Sequence, residues 1–406
     1  MQSSKATNYG LAIIFAILLT GGAAVANTPM TAAGKPAEGE LAPFLGEPEL
    51  DVQRLFTGQR FPNVVVTVEG AVLATWGGRS EDHSYVVRRS ENGGETFGRE
   101  LTVAEPGFHG GGVTVDERSG AIFLFVDAEH PPREPQEEMG PLQVFRSDDD
   151  GRTWTEIEVV IHPDDNGYVP AMHMSERGIT LRHGEHAGRL LRPARVYGGS
   201  ASPESYNTAI YSDDGGETWR PSAPFPAMGT GEGTVAELSD GRVYYNSRRH
   251  WAPEDEDARS RWIAWSEDGG ETWGDLSVSG VLPDGAQHRD YGLMAGLARL
   301  PVADEDILIF SNIESGEDRR RGTVWASFDG GQTWPVKRLV EEGEFAYSSL
   351  AAGRPGTPSE GWIYLLYETG GHPDSAGNIA RFNLSWVLEG EPTGDGQIPS
   401  LEGNAE

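Results

Sequence analysis

Cysteine is absent from all 406 residues, which excludes disulfides and thiol chemistry and leaves stability to the packed core. Basic side chains are scarce beside acidic ones, 32 Lys and Arg against 63 Asp and Glu, for a formal net charge of −31. So acidic a surface repels nucleic acid and anionic membranes, and neither is expected as a partner. Any anionic ligand would need a local cluster of arginines to overcome that field. No stretch keeps helical periodicity over several turns, and no phosphate loop or dinucleotide fingerprint appears, so no cofactor is expected. His183-Gly-Glu185-His186 has ligand-type side chains but no helix to align them, so no metal centre is expected. Glu254-Asp-Glu-Asp257 and Asp164-Asp-Asn166-Gly167 read as surface loops outside the twelve-residue calcium pattern.

Long apolar runs are also missing beyond the first residues. There Lys5 precedes the apolar run Leu11 to Leu19, and Ala24-Val-Ala26 offers a small-residue cleavage site. The pattern predicts a secretory signal peptide over residues 1–26, with an uncleaved anchor as the alternative reading. Export to the periplasm or the exterior is expected, with no membrane span after cleavage. Residues 27–48, rich in Ala, Gly, Pro and Glu, read as a loose lead-in, and residues 391–406 as a loose acidic tail. Between them, residues 49–390 read as one domain.

What the chain has in abundance is one repeated phrase. It runs Ser147-Asp-Asp149-Asp-Gly151-Arg-Thr153-Trp154 and Ser212-Asp-Asp214-Gly-Gly216-Glu-Thr218-Trp219. It returns as Ser266-Glu-Asp268-Gly-Gly270-Glu-Thr272-Trp273 and Ser327-Phe-Asp329-Gly-Gly331-Gln-Thr333-Trp334. A degenerate copy, Ser90-Glu-Asn92-Gly-Gly94-Glu-Thr96-Phe97, comes first. Ser, Asp and Thr can satisfy nearby backbone groups and Gly supplies positive φ, so the phrase makes a self-satisfied turn. The aromatic that follows packs that turn onto a sheet. The phrase resembles the Asp-box of bacterial neuraminidases, which closes a hairpin in each propeller blade and lies on the rim, away from any chemistry.

Between the boxes the chain alternates short β-rich runs with Gly, Asp and Pro turns, as in Ala121-Ile-Phe-Leu-Phe-Val126 and Trp362-Ile-Tyr-Leu-Leu-Tyr367. About 340 residues at a period of about 58 predict an all-β, six-bladed propeller of four-stranded antiparallel blades, one without a box. Trp251, Trp262 and Trp265 are read as blade packing, with stacking on a sugar as the alternative, and Tyr244, Tyr245 and Tyr364 as core.

Several scattered segments resemble the exo-α-sialidase family of glycoside hydrolases. Gln59-Arg60-Phe61-Pro62 is similar to the family's Arg-Ile-Pro signature, with Phe for Ile. Thr75-Trp-Gly-Gly-Arg79-Ser-Glu-Asp82-His83 occupies the place of a ligand-contacting Arg and a loop Asp, with Glu81 and His83 as neighbouring alternatives for the latter. Gly231-Glu232 through Glu237-Leu-Ser-Asp240-Gly241 to Asn246-Ser-Arg248 resembles the family's Glu, Glu-Leu-x-Asp-Gly, Asn-x-Arg succession, with Gly231 where Asn is common. Glu237 is read as structural. Glu317-Asp-Arg319-Arg320-Arg321-Gly-Thr323 selects Arg319 by its spacing from Thr323, with Arg320 as the fallback. Phe345-Ala-Tyr347-Ser348 and Leu366-Tyr367-Glu368 resemble the Tyr-Ser and Leu-Tyr-Glu segments.

The resemblance implies a retaining hydrolase of terminal sialic acid on sialylated glycans, with no metal or cofactor. Tyr347 would be the nucleophile, Glu232 its base partner and Asp82 the general acid/base. Arg60, Arg248 and Arg319 would grip the substrate carboxylate, Arg79 would contact ligand, and Glu368 would hold Arg60. A neutral Tyr suits an anomeric carbon that bears a carboxylate, because an Asp or Glu nucleophile would meet like-charge repulsion. Two rival readings are a non-catalytic glycan-binding propeller and a hydrolase of another acidic sugar.

Overall fold

A computed structural model of the chain describes residues 38–401 except 59, 78–83, 108, 128–141, 173–175, 198–203, 257, 286–291, 317 and 371–374. Its strands form six sheets, each an up-and-down antiparallel blade. Blade 1 is Arg60–Val66, Val72–Gly77, Tyr85–Ser90 and Leu101–Ala104, and blade 2 is His109–Val115, Ile122–Asp127, Leu142–Ser147 and Thr155–Ile157. Blade 3 is Ile179–Thr180, Leu190–Val196, Tyr206–Ser212 and Thr218–Pro221, edged by the parallel pair-forming Val160–Ile161. Blade 4 is Gly233–Glu237, Val243–Ser247, Ser260–Ser266 and Gly274–Pro283. Blade 5 is Gly296–Arg299, Leu308–Ile313, Arg320–Ser327 and Val336–Glu344.

Blade 6 is built from both ends of the domain. Ser348–Ala352, Ile363–Thr369 and Ala376–Phe382 are completed by Leu50–Thr57, which pairs antiparallel with Ala376–Phe382 from Leu50↔Phe382 to Thr57↔Ala376. The first strand named in each blade is innermost, and each innermost strand touches the next around a closed ring. The architecture is a six-bladed β-propeller.

Because a blade is sandwiched between two others, its inner strands are buried on both faces and read as apolar runs rather than alternating ones. Ile122–Asp127 is buried throughout, whereas the outermost Gly274–Pro283 is mostly exposed. The core accordingly divides into six clusters, one between each pair of neighbouring blades, such as Phe123 and Phe125 of blade 2 against Ile210 and Trp219 of blade 3.

All five boxes join the third and fourth strands of blades 1 to 5, at the end of the ring where those third strands finish. In four of them the Asp accepts from the box Ser and the Thr N–H through one oxygen and from the Thr hydroxyl through the other, at 2.5–2.6 Å in the latter case. Burial tends to raise Asp149, yet the hydrogen bonds from Thr153, Ser147 and Arg152 hold its carboxyl down to about 2. In the degenerate copy the Asn92 amide donates to the Thr96 hydroxyl instead. Blade 6 lacks a box because its third and fourth strands come from opposite ends of the domain and share no hairpin.

The fifth box position must be glycine for two reasons. It sits at positive φ, from +80° to +91° in the five copies. A Cβ there would also strike the preceding blade: Leu73 at 2.7 Å from position 151, Phe123 at 2.6 Å from 216 and Leu191 at 2.6 Å from 270. The box is therefore a wedge that sets blade against blade as well as a turn.

The described parts of the two flanking segments, 38–48 and 391–401, are attached to the ring. In the lead-in, Gly39 bridges to Val302, Glu38 pairs with Arg182 and Arg299, and Phe44 is buried. In the tail, Glu391–Pro392 adds a fifth strand to blade 5, and Asp395 accepts from the N–H of the box residue Trp334 at 2.9 Å. Both segments find unpaired backbone at the rim, which composition alone does not reveal.

Gly270→Ala combines a disfavoured φ with an overlap on Leu191, and we expect a loss of about 2–4 kcal/mol in urea unfolding. Gly274→Ala, in open space at ordinary φ, should change stability by less than about 0.5 kcal/mol.

Candidate active site

Each innermost strand starts at the face opposite the boxes, and each second strand returns there. Residues just before the first and just after the second therefore converge around the axis. Glu232 and Arg248 illustrate this. The Gly233–Glu237/Val243–Ser247 hairpin continues one step further through Arg248 N–H to Glu232 C=O, 2.9 Å, and Gly231 N–H to Arg248 C=O, 3.0 Å. The two side chains consequently lie across from one another, and Arg248 Nη1 donates to Glu232 Oε2 at 2.7 Å with both fully buried.

Tyr347, immediately before the innermost strand of blade 6, donates its hydroxyl to the other Glu232 oxygen, Oε1, at 3.0 Å. This joins blades that lie 115 residues apart in sequence. Desolvation raises Glu232, but Arg248, Arg195 and Arg319 outweigh it and hold its carboxyl below the ordinary range. Burial and the Glu232 charge push the Tyr347 hydroxyl up, against Arg319, Arg248 and Arg60. The resting state is a neutral phenol hydrogen-bonded to a carboxylate.

Arg60 opens blade 1 on a bulge, since pairing with Val72–Gly77 shifts register between Arg60 and Asn63. Phe61 takes a left-handed φ of +68°, uncommon for a non-glycine residue. Glu368 holds this conformation. One oxygen accepts from Arg60 Nε and Nη2 at 3.1 and 2.8 Å, and the other from the Phe61 N–H at 2.7 Å. The Arg60 guanidinium is thereby turned over the Tyr347 ring, 5.0 Å from its centre, with its last arm left unpaired among the described residues.

Arg319 approaches from blade 5, its guanidinium also 5.0 Å from the Tyr347 ring centre, and donates to the Gly292 carbonyl at 3.3 Å. Arg320 is exposed and lies at the rim of the same cleft as Arg60 and Arg319. The neighbouring Arg321 has φ +57° and the strand shifts register around Gly322, which leaves Arg320 on the exposed edge. Arg248 Nε and Nη2 and Arg319 Nε are buried without hydrogen-bond partners among the described residues. A cleft lined by Arg60, Arg319, Phe345, Ala346 and Glu368 opens beside them. Arg319, Arg248 and Arg60 all act on the Tyr347 hydroxyl, and Arg60 and Arg319 line the adjoining cleft.

Of the residues singled out in the sequence, Arg60, Glu232, Arg248, Arg319, Tyr347 and Glu368 are brought together, while Arg79 and Asp82 lie outside the described residues. Glu237 lies at the far end of its strand, where it accepts from the Arg182 and His183 N–H groups. Tyr244, Tyr245 and Tyr364 are buried in the core. Trp265 packs edge-on against Tyr244, but Trp251 stacks on His250, 4.1 Å between ring centres, near the site rather than between blades. Among the described residues no group of three His, Asp or Glu is arranged to hold a metal.

Two supporting residues carry no sequence signal. Arg261 donates to Asn246, to Asp284, to the Leu293 carbonyl and to the Glu232 carbonyl, all buried, and so fixes the backbone beneath Glu232. Glu176 lies between the innermost strands of blades 1 and 6, accepting from Asn63, Ser349 and the Leu350 N–H, and burial pushes its carboxyl up to about 8. Neither Arg261 nor Glu176 belongs to a local motif, and only partners distant in sequence give them meaning.

Residues 70–357 match the BNR repeat-like domain. The chain belongs to that family. Among similar proteins, a sialidase of Micromonospora viridifaciens is 33% identical over 415 residues, covering 94% of this chain and 60% of that protein. A sialidase of Bacteroides fragilis is 26% identical over 344 residues, 76% of this chain and 60% of that protein. The chain thus spans well under two thirds of each relative's length. A solved structure, the Hadza microbial sialidase Hz136, shares 26% identity and superposes with a TM-score of 0.60 over 81% of this chain and 66% of that one.

The buried Glu232–Arg248 pair generates a stability prediction with a defined sign. Glu232 lies below its ordinary value, so its contribution is complete above about pH 4.3 and is lost as pH falls through the lowered value. Arg248→Met removes the main opposing charge, burial then dominates, and stability should fall as pH rises above about 4.3. We expect a loss of about 3–5 kcal/mol at pH 7, smaller at pH 4, by urea unfolding at the two pH values.

Proposed function

We propose that this chain is a retaining exo-α-sialidase that removes terminal sialic acid from glycans. The observation that carries the reading is the hydrogen-bonded series Tyr347–Glu232–Arg248 with Arg319, Arg248 and Arg60 gathered around the Tyr347 hydroxyl. In a chain of net charge −31, three arginines, Arg60, Arg248 and Arg319, gathered around Tyr347 fit a small carboxylate better than a neutral sugar. The similarity to two sialidases supports the same substrate.

In the proposed reaction the substrate carboxylate docks on the three guanidinium groups, which places the anomeric carbon over the Tyr347 hydroxyl. Glu232, ionised and 3.0 Å from that hydroxyl, takes its proton as the oxygen attacks. The glycosidic C–O bond breaks while Asp82 protonates the departing oxygen, leaving a tyrosyl glycoside. Water then attacks the same carbon, Asp82 accepts its proton, and the proton on Glu232 returns to the Tyr347 oxygen. Two displacements give net retention. The apolar run Leu11 to Leu19 followed by Ala24-Val-Ala26 supports action outside the cytoplasm.

Tyr347→Phe should fold as the parent does yet form no covalent adduct with a fluorinated sialosyl fluoride. Intact-protein and peptide mass spectrometry should find the adduct on Tyr347 of the parent. Label on another residue of an active parent would refute the nucleophile.

Asp82→Ala should depress turnover of sialyl-lactose by about 10²–10⁴ while sparing most turnover of an aryl sialoside, whose leaving group needs no proton. Steady-state kinetics on both substrates decide this. Equal loss would give Asp82 a positioning role, and no loss would move the acid elsewhere.

A further inference from the structure

Glu176, fully buried just before the innermost strand of blade 3, takes no part in the chemistry above. Its Oε1 accepts from Ser349 Oγ at 2.7 Å and from the Leu350 N–H at 3.0 Å, both on blade 6. Its Oε2 accepts from Asn63 Nδ2 of blade 1 at 2.9 Å, and its own N–H donates to the Gly233 carbonyl of blade 4 at 3.3 Å. The next two residues continue the pattern. Arg177 Nε donates to the Leu350 carbonyl at 2.9 Å and Nη2 to the Leu297 carbonyl of blade 5 at 3.5 Å. Gly178 N–H donates to the Val113 carbonyl of blade 2 at 3.0 Å. Residues 176–178 thus meet the innermost strands of all the other blades, which places them on the axis of the ring.

The partners of Glu176 sit beside the residues assigned to the reaction. Gly233 follows Glu232, and Ser349 lies two residues beyond Tyr347. Asn63 is where regular pairing resumes after the bulge that carries Arg60. Two of these partners are fixed a second time: Ser349 Oγ accepts from the Val64 N–H at 3.0 Å, and Asn63 Oδ1 from the Val113 N–H at 2.9 Å. Glu368 works from the other side, accepting from Arg60 and the Phe61 N–H while its own N–H donates to the Tyr347 carbonyl at 3.0 Å. Arg60 and Tyr347 are therefore held between two carboxylates, one in the cleft and one on the axis. A buried polar network whose donors are all satisfied favours one arrangement of the strands that carry it.

We propose that Glu176 is a positioning residue for the reaction: from the axis it sets Arg60, Glu232 and Tyr347 relative to one another. It does not touch substrate. The proposal rests on the sialidase reading, in which the grip on the carboxylate fixes the anomeric carbon over the Tyr347 oxygen. A shift of about 1 Å between grip and nucleophile is enough to cost about 10² in rate.

Two variants of the full chain test this. Glu176→Gln keeps the volume but turns an NH2 group toward at least one of the three donors. Ser349→Ala removes the side-chain arm to blade 6 by a smaller change, and decides alone if the first variant does not fold. On an aryl sialoside, kcat per folded molecule should fall about 10²-fold for Glu176→Gln and about tenfold for Ser349→Ala, with KM within about threefold of the parent. Fluorine NMR of fluorotyrosine-labelled protein supplies a readout independent of activity. The Tyr347 resonance, assigned by its loss in Tyr347→Phe, should move in both variants. That of Tyr364, whose hydroxyl donates to the Gly93 carbonyl at the box end, should stay in place. An unchanged kcat, a loss confined to KM, or a Tyr364 signal that moves as far as that of Tyr347 would overturn the proposal and leave Glu176 a structural role. If the parent turns over no sialoside, the functional reading falls. The resonances then judge the positioning, and an unmoved Tyr347 signal overturns it.

Discussion

Closure of the ring by Leu50–Thr57 against Ala376–Phe382 is the constraint on which everything else in this structure depends. A propeller blade has one inner and one outer edge, and six of them can bury their faces only if the last meets the first. The pairing does more than complete a sheet. It brings blade 1 beside blade 6, where Arg60 meets Glu368 across 308 residues of sequence and turns over Tyr347. It also accounts for five boxes among six blades, since the strands of the closing blade that would carry one are joined by hydrogen bonds instead of by a turn.

The boxes and the candidate site lie at opposite ends of the same strands. At one end the boxes satisfy their own backbone and wedge each blade against its predecessor through a glycine that admits no side chain. At the other end, buried atoms of Arg248, Arg319, Arg192 and Arg195 find no hydrogen-bond partner among the described residues. Natural cores rarely tolerate this unless something completes the network. The rigid ring at the box end allows that local excess of donors to persist.

The electrostatics of the site oppose those of the surface. A chain carrying −31 overall concentrates arginines where its second and third strands return to the axis. Glu232 stays ionised in a dry environment only because Arg248, Arg195 and Arg319 outweigh its desolvation. Tyr347 stays protonated because the same carboxylate and its own burial resist ionisation. One carboxylate therefore sets the proton positions of the whole group, and Arg261 and Asn246 beneath it set its place.

Several of these features were fixed by local chemistry and so could be read from the chain. The boxes are legible because the Ser, Asp and Thr hydrogen bonds that shape each turn span four residues or fewer, and their period counts the blades. Glu232 and Arg248 are legible as neighbours because one tight hairpin returns the chain between them. Tertiary structure alone decided the rest. It set Arg319 beside the Tyr347 ring and Arg320 at the exposed rim, and paired Glu391–Pro392 with the edge of blade 5. It also brought Arg195 against Gly231, and Glu176 between blades 1 and 6, from segments with no motif in common. The reason is physical: hydrogen bonds within a turn depend on a few consecutive residues, whereas the surroundings of a buried charge are set by whichever distant strands the closed ring packs around it.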